Sequence, residues 1–270
     1  MHQGKGNCVI IDLIGNYRNA DVKMSLFQVP VEDAGSSIRK PIAPEGCEVN
    51  FEVAVIDLLE EMARKKMPRR DALQANYVSV KEDLGRRPSY LEVYQNGTAN
   101  YEMYRQEFRS YIGFLDWADE LNEQEKQAYE LYRTWLEEAE KTSMSKSYKM
   151  VVLQAMLERG ADRWFLPMTP EEASSYFHSY YMSKKYRRDR DFSSGNTKKL
   201  WEFNEKKVSK LIVDLPMFHL SNKSDIFSFD ENALSLNFDV APEHRELLWR
   251  WTKEVCEYRL HYYFFWRGQK

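Results

Sequence analysis

The sequence has no apolar run approaching the ~20 residues that a membrane-spanning helix needs, so no membrane association is expected. No basic region leads into an apolar core at the N-terminus, so no secretory signal is expected either. The three cysteines, Cys8, Cys47 and Cys256, stand far apart and form no CxxC pair. That usage argues against a disulfide framework or a zinc site and fits a reducing cytoplasm. The five histidines, His2, His178, His219, His244 and His261, make no HExxH or other ligand spacing. His178 beside Phe177 reads as an ordinary core or surface histidine.

The motifs of nucleotide and acyl chemistry are also missing. A phosphate-binding loop needs GxxxxGK[ST]; the nearest run, GKGN at Gly4, is too short and precedes the strand that it should follow. No GxSxG occurs. Asp12 is an acid within a predicted strand, but at its middle, whereas a magnesium ligand belongs at a strand end. Glu60-Glu61 with Lys65-Lys66 has the i,i+4 spacing of paired residues on a helix surface. No self-sufficient catalytic site is read from these residues, and no cofactor or metal is expected to be held by this chain.

What is present is a composition of globular type, 43% hydrophobic and 30% charged over 270 residues, enough for two or three compact units. The net charge of -3 conceals segregation. Basic clusters stand at Arg64-Lys65-Lys66 with Arg69-Arg70, at Arg86-Arg87 and from Lys184 to Arg190, while acids dominate between Asp116 and Glu140. Each basic cluster is either a phosphate-binding face or a solvated helix surface.

Along the chain, Val9 to Ile14 reads as a buried strand ended by Gly15-Asn16, followed by a short helix through Phe27 and a Pro- and Gly-rich linker from Pro30 to Gly46. A helix follows, with Ile56, Leu59 and Met62 on one stripe and Pro68 closing it. RRDALQANYVSVKEDLG repeats the pattern, with Gly85 as its stop. PSYLEVYQNG is a short helix with Pro88 near its first turn. Thr98 to Leu121 is a further helical region, and Asn122 starts a long helix through Lys141. Thr142 to Ser147 is a polar break before an apolar helix ended by Gly160. Trp164-Phe165-Leu166 suggests a short strand. Thr169, Pro170 and Glu172 make a capping box. KKYRRDRDFSSGN reads as a charged loop, and LWEFNEKKVSKLIVDLP as a helix stopping before Pro216. IFSFDENALSLNF alternates like a β-hairpin across Glu231-Asn232, and Pro242 to Trp266 is a closing amphipathic helix. No internal repeat is present.

Two stretches bear on function. In LQANYVSVKEDLGRRPSYLEVYQNG a helix, a glycine turn and a short helix lead into an aromatic third helix, the grammar of a helix-turn-helix unit. A third helix entering a groove would bring Asn100, Glu102, Arg105, Gln106 or Arg109 to nucleic acid, with Arg86-Arg87 at the corner. The same residues also describe a helical hairpin with solvated arginines. In KTSMSKSYKMVVLQAM, hydroxyls and Lys141, Lys146 and Lys149 surround a helix start, either as an anion site or as a capped helix packed on its neighbour. The helix, hairpin and helix between Trp201 and Trp266 suggest a winged-helix-like unit, with contacts near Asn222-Lys223-Ser224 or in the Lys184–Arg190 loop.

The opening stretch GKGNCVIIDLIGNYRNADVKMSLF resembles the segment just after the last motor motif in bacterial superfamily 2 helicases of the DEAD/DEAH-box type found among restriction and phage-defence proteins. IDLIGNY and TSMSKSYKM carry most of the likeness; FEVAVIDLLEEM, LGRRPSYLEV and FRSYIGFLDWADEL extend it over most of the chain. The resemblance implies an N-terminal remnant of the second RecA-like lobe followed by the accessory region. It transfers no catalytic residue, because the phosphate-binding loop, acidic box and arginine-finger motif are absent, and it implies a fragment of a longer helicase or a truncated product. ATP and magnesium are expected in the missing motor alone.

The expected fold is mainly α with a small β component: a helical bundle with helix-turn-helix-like units, one late β-hairpin and the N-terminal remnant strand of an α/β lobe. The expected regions are 1–45, the lobe remnant and linker; 46–141, the helix-turn-helix-like region; and 142–270, the helical region with the hairpin. The expected role is that of a non-catalytic helicase region binding DNA or RNA backbone through Arg69, Arg70, Arg86, Arg87, Arg105, Lys146 and Lys149, with motor lobes as partners in cis or in trans. The alternative is a module docking onto a motor or a defence partner, with aromatic residues serving the interface.

Overall fold

The structure, a computed structural model, describes residues 68–99, 102–223, 225–230 and 232–265. The expected N-terminal strand and linker, the helix up to 67, the Arg64-Lys65-Lys66 cluster and Asn100 lie outside the described residues. The chain divides into two compact units, Met1–Ala72 and Leu73–Lys270. The described residues of the first unit are 68–72, which include the first turn of helix α1 (Arg69–Leu84). The second unit is mainly helical, with one small antiparallel hairpin, as expected.

In the second unit α1 buries Leu73, Asn76, Tyr77 and Val80, a 3–4 spacing that sets one face inward. It ends at Gly85, whose φ of 65° suits a residue without Cβ. Helix α2 (Tyr90–Asn96) begins with a capping box between Ser89 and Glu92. Pro88 sits just before the cap, next to the first turn. The predicted third helix is broken in two, α3 (Glu102–Phe108) and α4 (Tyr111–Trp117). Arg109 takes a φ of 68° at the break, Ser110 accepts from the Gly113 amide at 2.9 Å, and the Tyr111 amide donates to Glu140 at 2.6 Å. New acceptors for the second helix's first amides offset the loss of helical continuity.

Helix α5 (Glu123–Lys141) starts at the predicted Asn122, in a capping box with Glu125. After the polar break, α6 (Tyr148–Leu157) is buried on nearly every side. Trp164-Phe165-Leu166 is a turn, not the expected strand: the Arg163 and Trp164 amides both donate to Gly160 O, leaving no extended edge to pair. Helix α7 (Pro170–Met182) carries the predicted capping box. The expected charged loop is instead helix α8 (Lys185–Asp191), followed by a single turn, α9 (Gly195–Lys198). Helix α10 (Glu205–Ile212) runs on through Pro216 rather than stopping before it. A π-helical turn, Val213–Met217, carries the proline into α11 (Phe218–Ser221). The wider register accommodates a residue that lacks an N–H.

Strands β1 (Phe227–Phe229) and β2 (Leu234–Leu236) pair as the expected hairpin, Phe227 opposite Leu236 and Phe229 opposite Leu234. Asp230 closes the loop by accepting from the Asn232 and Ala233 amides. Met168 adds a bridge to Leu234. The closing helix α12 (Arg245–Phe265) packs along α2, α5 and α6. Trp135 on α5 is 2% exposed, touches Trp164, Phe227 and Phe238, and donates its indole N–H to Thr252 on α12 at 2.9 Å. Burying such a ring is worth up to roughly 4–6 kcal/mol. The expected subdivision near Thr142 falls inside this one unit. No helix among the described residues is long and apolar enough to cross a membrane.

Candidate nucleic-acid interface

The cations singled out by sequence have separate fates. Arg69 and Arg70 are exposed on the first turn of α1. Arg86 forks onto the Glu92 carboxylate at the surface, and this contact holds Glu92 down at about 2. Arg87, its neighbour, turns the other way. It donates twice to Glu125, at 2.9 and 2.5 Å, and once to the Glu120 carbonyl at 3.0 Å. The same Glu125 caps α5 and stands 3.5 Å from Arg250. Arg87 is thereby a structural tie between the α1–α2 turn and the start of α5.

Arg105, on the short α3, is half-buried and close enough to the Glu140 carboxyl to favour its charged form. Burial nonetheless prevails there and pushes Glu140 up to about 8. Gln106 is exposed on the same seven-residue helix, where Tyr104 and Phe108 point into the core, and the exposed Arg109 sits in the break. A continuous third helix available to enter a groove is therefore not what these residues form.

The start of α6 is an anion site that the protein fills itself. Asp191, 1% exposed at the end of α8, accepts from the Ser147 amide at 3.0 Å, from the Ser147 hydroxyl and from Tyr263 at 2.6 Å. Its carbonyl accepts from Lys146 and from Tyr148, each at 2.7 Å. Lys146 is thus spent on holding α8 in place. Lys149 is different: it is 9% exposed, and its one side-chain hydrogen bond among the described residues is to Ser143 Oγ at 3.5 Å. Burial, then the nearby charges of Lys223 and Arg259, push it down to about 8.

The basic cluster from Lys184 to Arg190, which follows α7, is the start of a longer basic segment that reaches Lys210. Between Lys184 and Lys210 ten lysines and arginines face four acids, a surplus of six in a chain whose net charge is -3. Its ion pairs among the described residues are Arg188 with Asp189 and Lys210 with Asp214. Lys184, Lys185, Lys198, Lys199, Lys206 and Lys207 are all exposed. Both α8 and α10 pack on α7, so the segment is anchored rather than loose.

Aromatic rings stand among these charges. Trp201 is 40% exposed, fixed by its indole N–H to Phe192 O at 3.0 Å and by the Arg188 guanidinium over its ring at 4.4 Å. Phe203, half exposed, lies against His178, whose Nε2 meets the Leu200 carbonyl at 3.0 Å. Arg187 stacks on Tyr180 at 3.9 Å, and Tyr186 is open to solvent beside Phe265. Anchored exposed rings interleaved with surplus cations can stack bases and screen phosphates at once. A charge count over 27 residues, rather than over short clusters, is the sequence signal that finds this segment.

Among the described residues, no group of three or more His, Cys, Asp or Glu side chains gathers as a metal site. The described residues of the second unit form a mainly helical fold with a basic segment that carries exposed aromatic rings. No family model, no curated protein and no solved structure matches the chain.

Proposed function

We propose that this chain is a non-catalytic, nucleic-acid-binding accessory region that serves an ATP-driven helicase motor supplied elsewhere, and that it holds DNA or RNA through the segment from Lys184 to Lys210. The observation that supports this reading most is the concentration of exposed cations in the same segment as the anchored, exposed rings of Trp201 and Phe203. Cations supply sequence-independent affinity for the backbone, and the rings accept bases of a single strand.

The test is fluorescence anisotropy of a labelled single-stranded oligonucleotide across a salt series. Affinity should fall linearly on a log–log plot, with a slope of roughly -0.7 for each phosphate engaged. Reversing Lys198 and Lys199 to Glu should flatten the slope. Trp201→Ala should weaken binding by the ~1–3 kcal/mol of one stacked base. Binding that is absent at low salt, or indifferent to all these changes, overturns the reading.

A second reading, docking onto a motor or a defence partner, is supported by Leu215 and Phe218, which are exposed three residues apart along the π turn and α11. It predicts no shift of nucleic acid at low salt, a complex with the motor added in trans, and loss of that complex on Phe218→Asp.

A further inference from the structure

A cleft of about 200 Å³ opens where the end of α5, the polar break, the start of α6 and α11 meet. Its volume is below the ~300–1,000 Å³ of pockets for drug-sized organic ligands. Three lysines line it, Lys141 from α5, Lys149 from α6 and Lys223 beyond α11, against one carboxylate, Glu138. Glu138 is already committed: Lys141 pairs with it at 3.0 Å and the Thr142 hydroxyl donates to it at 3.2 Å. His219 is the remaining titratable group in the lining. Arg259 on α12 adds positive potential nearby, while its own guanidinium holds the Ala139 and Thr142 carbonyls that end α5.

Lys149 gives the cleft its direction. An ammonium has three hydrogens to donate, and this one has a single contact at the outer limit of hydrogen bonding. Burying a cation without a counter-ion is costly, and proteins avoid it by pairing or neutralising the group. Here the stem is buried, no ion pair is made among the described residues, and the residue faces a cleft shared with two further lysines. Such a lining suits an anion of more than one charge with several acceptor oxygens.

We infer that this cleft binds a phosphate group, a tetrahedral oxyanion held by Lys149 and Lys223 with the Ser143 hydroxyl. The inference goes beyond the Lys184–Lys210 surface and does not depend on it. Two sources share this chemistry, free phosphate and the phosphate monoester at the end of a nucleic-acid strand.

Calorimetric titration of the full chain with inorganic phosphate, at chloride-matched ionic strength, should show saturable binding at pH 7. Binding should weaken between pH 7 and 9, as Lys149 loses its proton near 8. Lys149→Met keeps the buried stem and removes the charge, and should lower affinity at least about tenfold, the worth of one charged hydrogen bond. Lys223→Ala, at an exposed position, should lower it as well without challenging folding. Competition between 5′-phosphorylated and 5′-hydroxyl oligonucleotides of one sequence then separates the sources. A preference for the phosphorylated strand that Lys149→Met abolishes and Trp201→Ala retains assigns the strand end. Phosphate binding without such a preference assigns free phosphate. Heats no larger than those of chloride, or both variants binding as the parent does, overturn the inference. Binding of the 5′-hydroxyl strand reports on the Lys184–Lys210 surface alone, so the two proposals fail separately.

Discussion

Arg86 and Arg87 are adjacent and chemically identical, yet replacing each with alanine should have very different consequences. Arg87 forms a two-pronged bridge to Glu125, whose side chain is 7% exposed, and a third bond to a backbone carbonyl. Deleting one partner of a fully buried ion pair costs about 3–5 kcal/mol, because a charge is left behind without compensation. Two features reduce that figure here. Arg87 itself is 32% exposed, and Glu125 keeps the Asn122 amide and the Arg250 guanidinium at 3.5 Å. A loss of about 2 kcal/mol is the reasoned value for Arg87→Ala. For a unit of this size it corresponds to a fall of roughly 4–8 °C in Tm. Arg86→Ala, which breaks an exposed pair, should leave the unfolding midpoint close to that of the parent.

The pH dependence provides a second check on Arg87. The Arg87 hydrogen bonds hold the Glu125 carboxyl below its ordinary range. A depressed carboxylate contributes stability that is complete above its unfolded value of about 4.3 and is lost as pH falls through its lower folded value. The gap between parent and Arg87→Ala should therefore be widest near neutrality and narrow in acid. Urea unfolding followed by circular dichroism at pH 7, and again at acidic pH, measures both. A variant within about 0.5 kcal/mol of the parent at pH 7 would refute the assignment of Arg87 as a structural tie. It would also return the residue to the pool of nucleic-acid contacts.

The Asp191 hub yields a stability prediction of the same kind. Asp191→Ala removes the acceptor for the Ser147 amide and for Tyr263, and should cost about 3 kcal/mol or more in urea unfolding, with protease cleavage appearing first around α8. Glu140 points the opposite way. Burial raises its folded value to about 8 against ~4.3 unfolded, so the native state binds the extra proton and stability is lost as pH climbs between the two. Glu140→Gln retains an acceptor for the Tyr111 amide and should gain on the order of 2 kcal/mol at pH 8.5. At pH 4 it should be nearly neutral, and an equal effect at both values would contradict the assignment.

The features legible in the sequence are those whose partners lie within a few residues. The boxes at Asn122–Glu125 and Thr169–Glu172, the turn at Gly85 and the hairpin around Asp230 all close locally, so spacing alone reveals them. The elements that depart from the sequence pattern are settled from a distance. Helix α8 has almost no apolar period, and its end is held through Asp191 by Ser147, 44 residues earlier, and Tyr263, 72 residues later. The break at Arg109 is stabilised by Glu140, 29 residues from the amide it accepts. The same physics governs the candidate cations. Whether an arginine faces solvent or a carboxylate depends on where a distant acid is folded, and a short cluster does not disclose that: Glu125, which takes Arg87, lies 38 residues away. A surplus spread over a long segment behaves differently. Between Lys184 and Lys210 the acids are outnumbered ten to four, so local pairing cannot exhaust the cations. Distant acids would have to be recruited one at a time, each at a cost in desolvation and side-chain freedom. Charge imbalance at that scale survives folding, and it is a property of the surface that a single sequence can disclose.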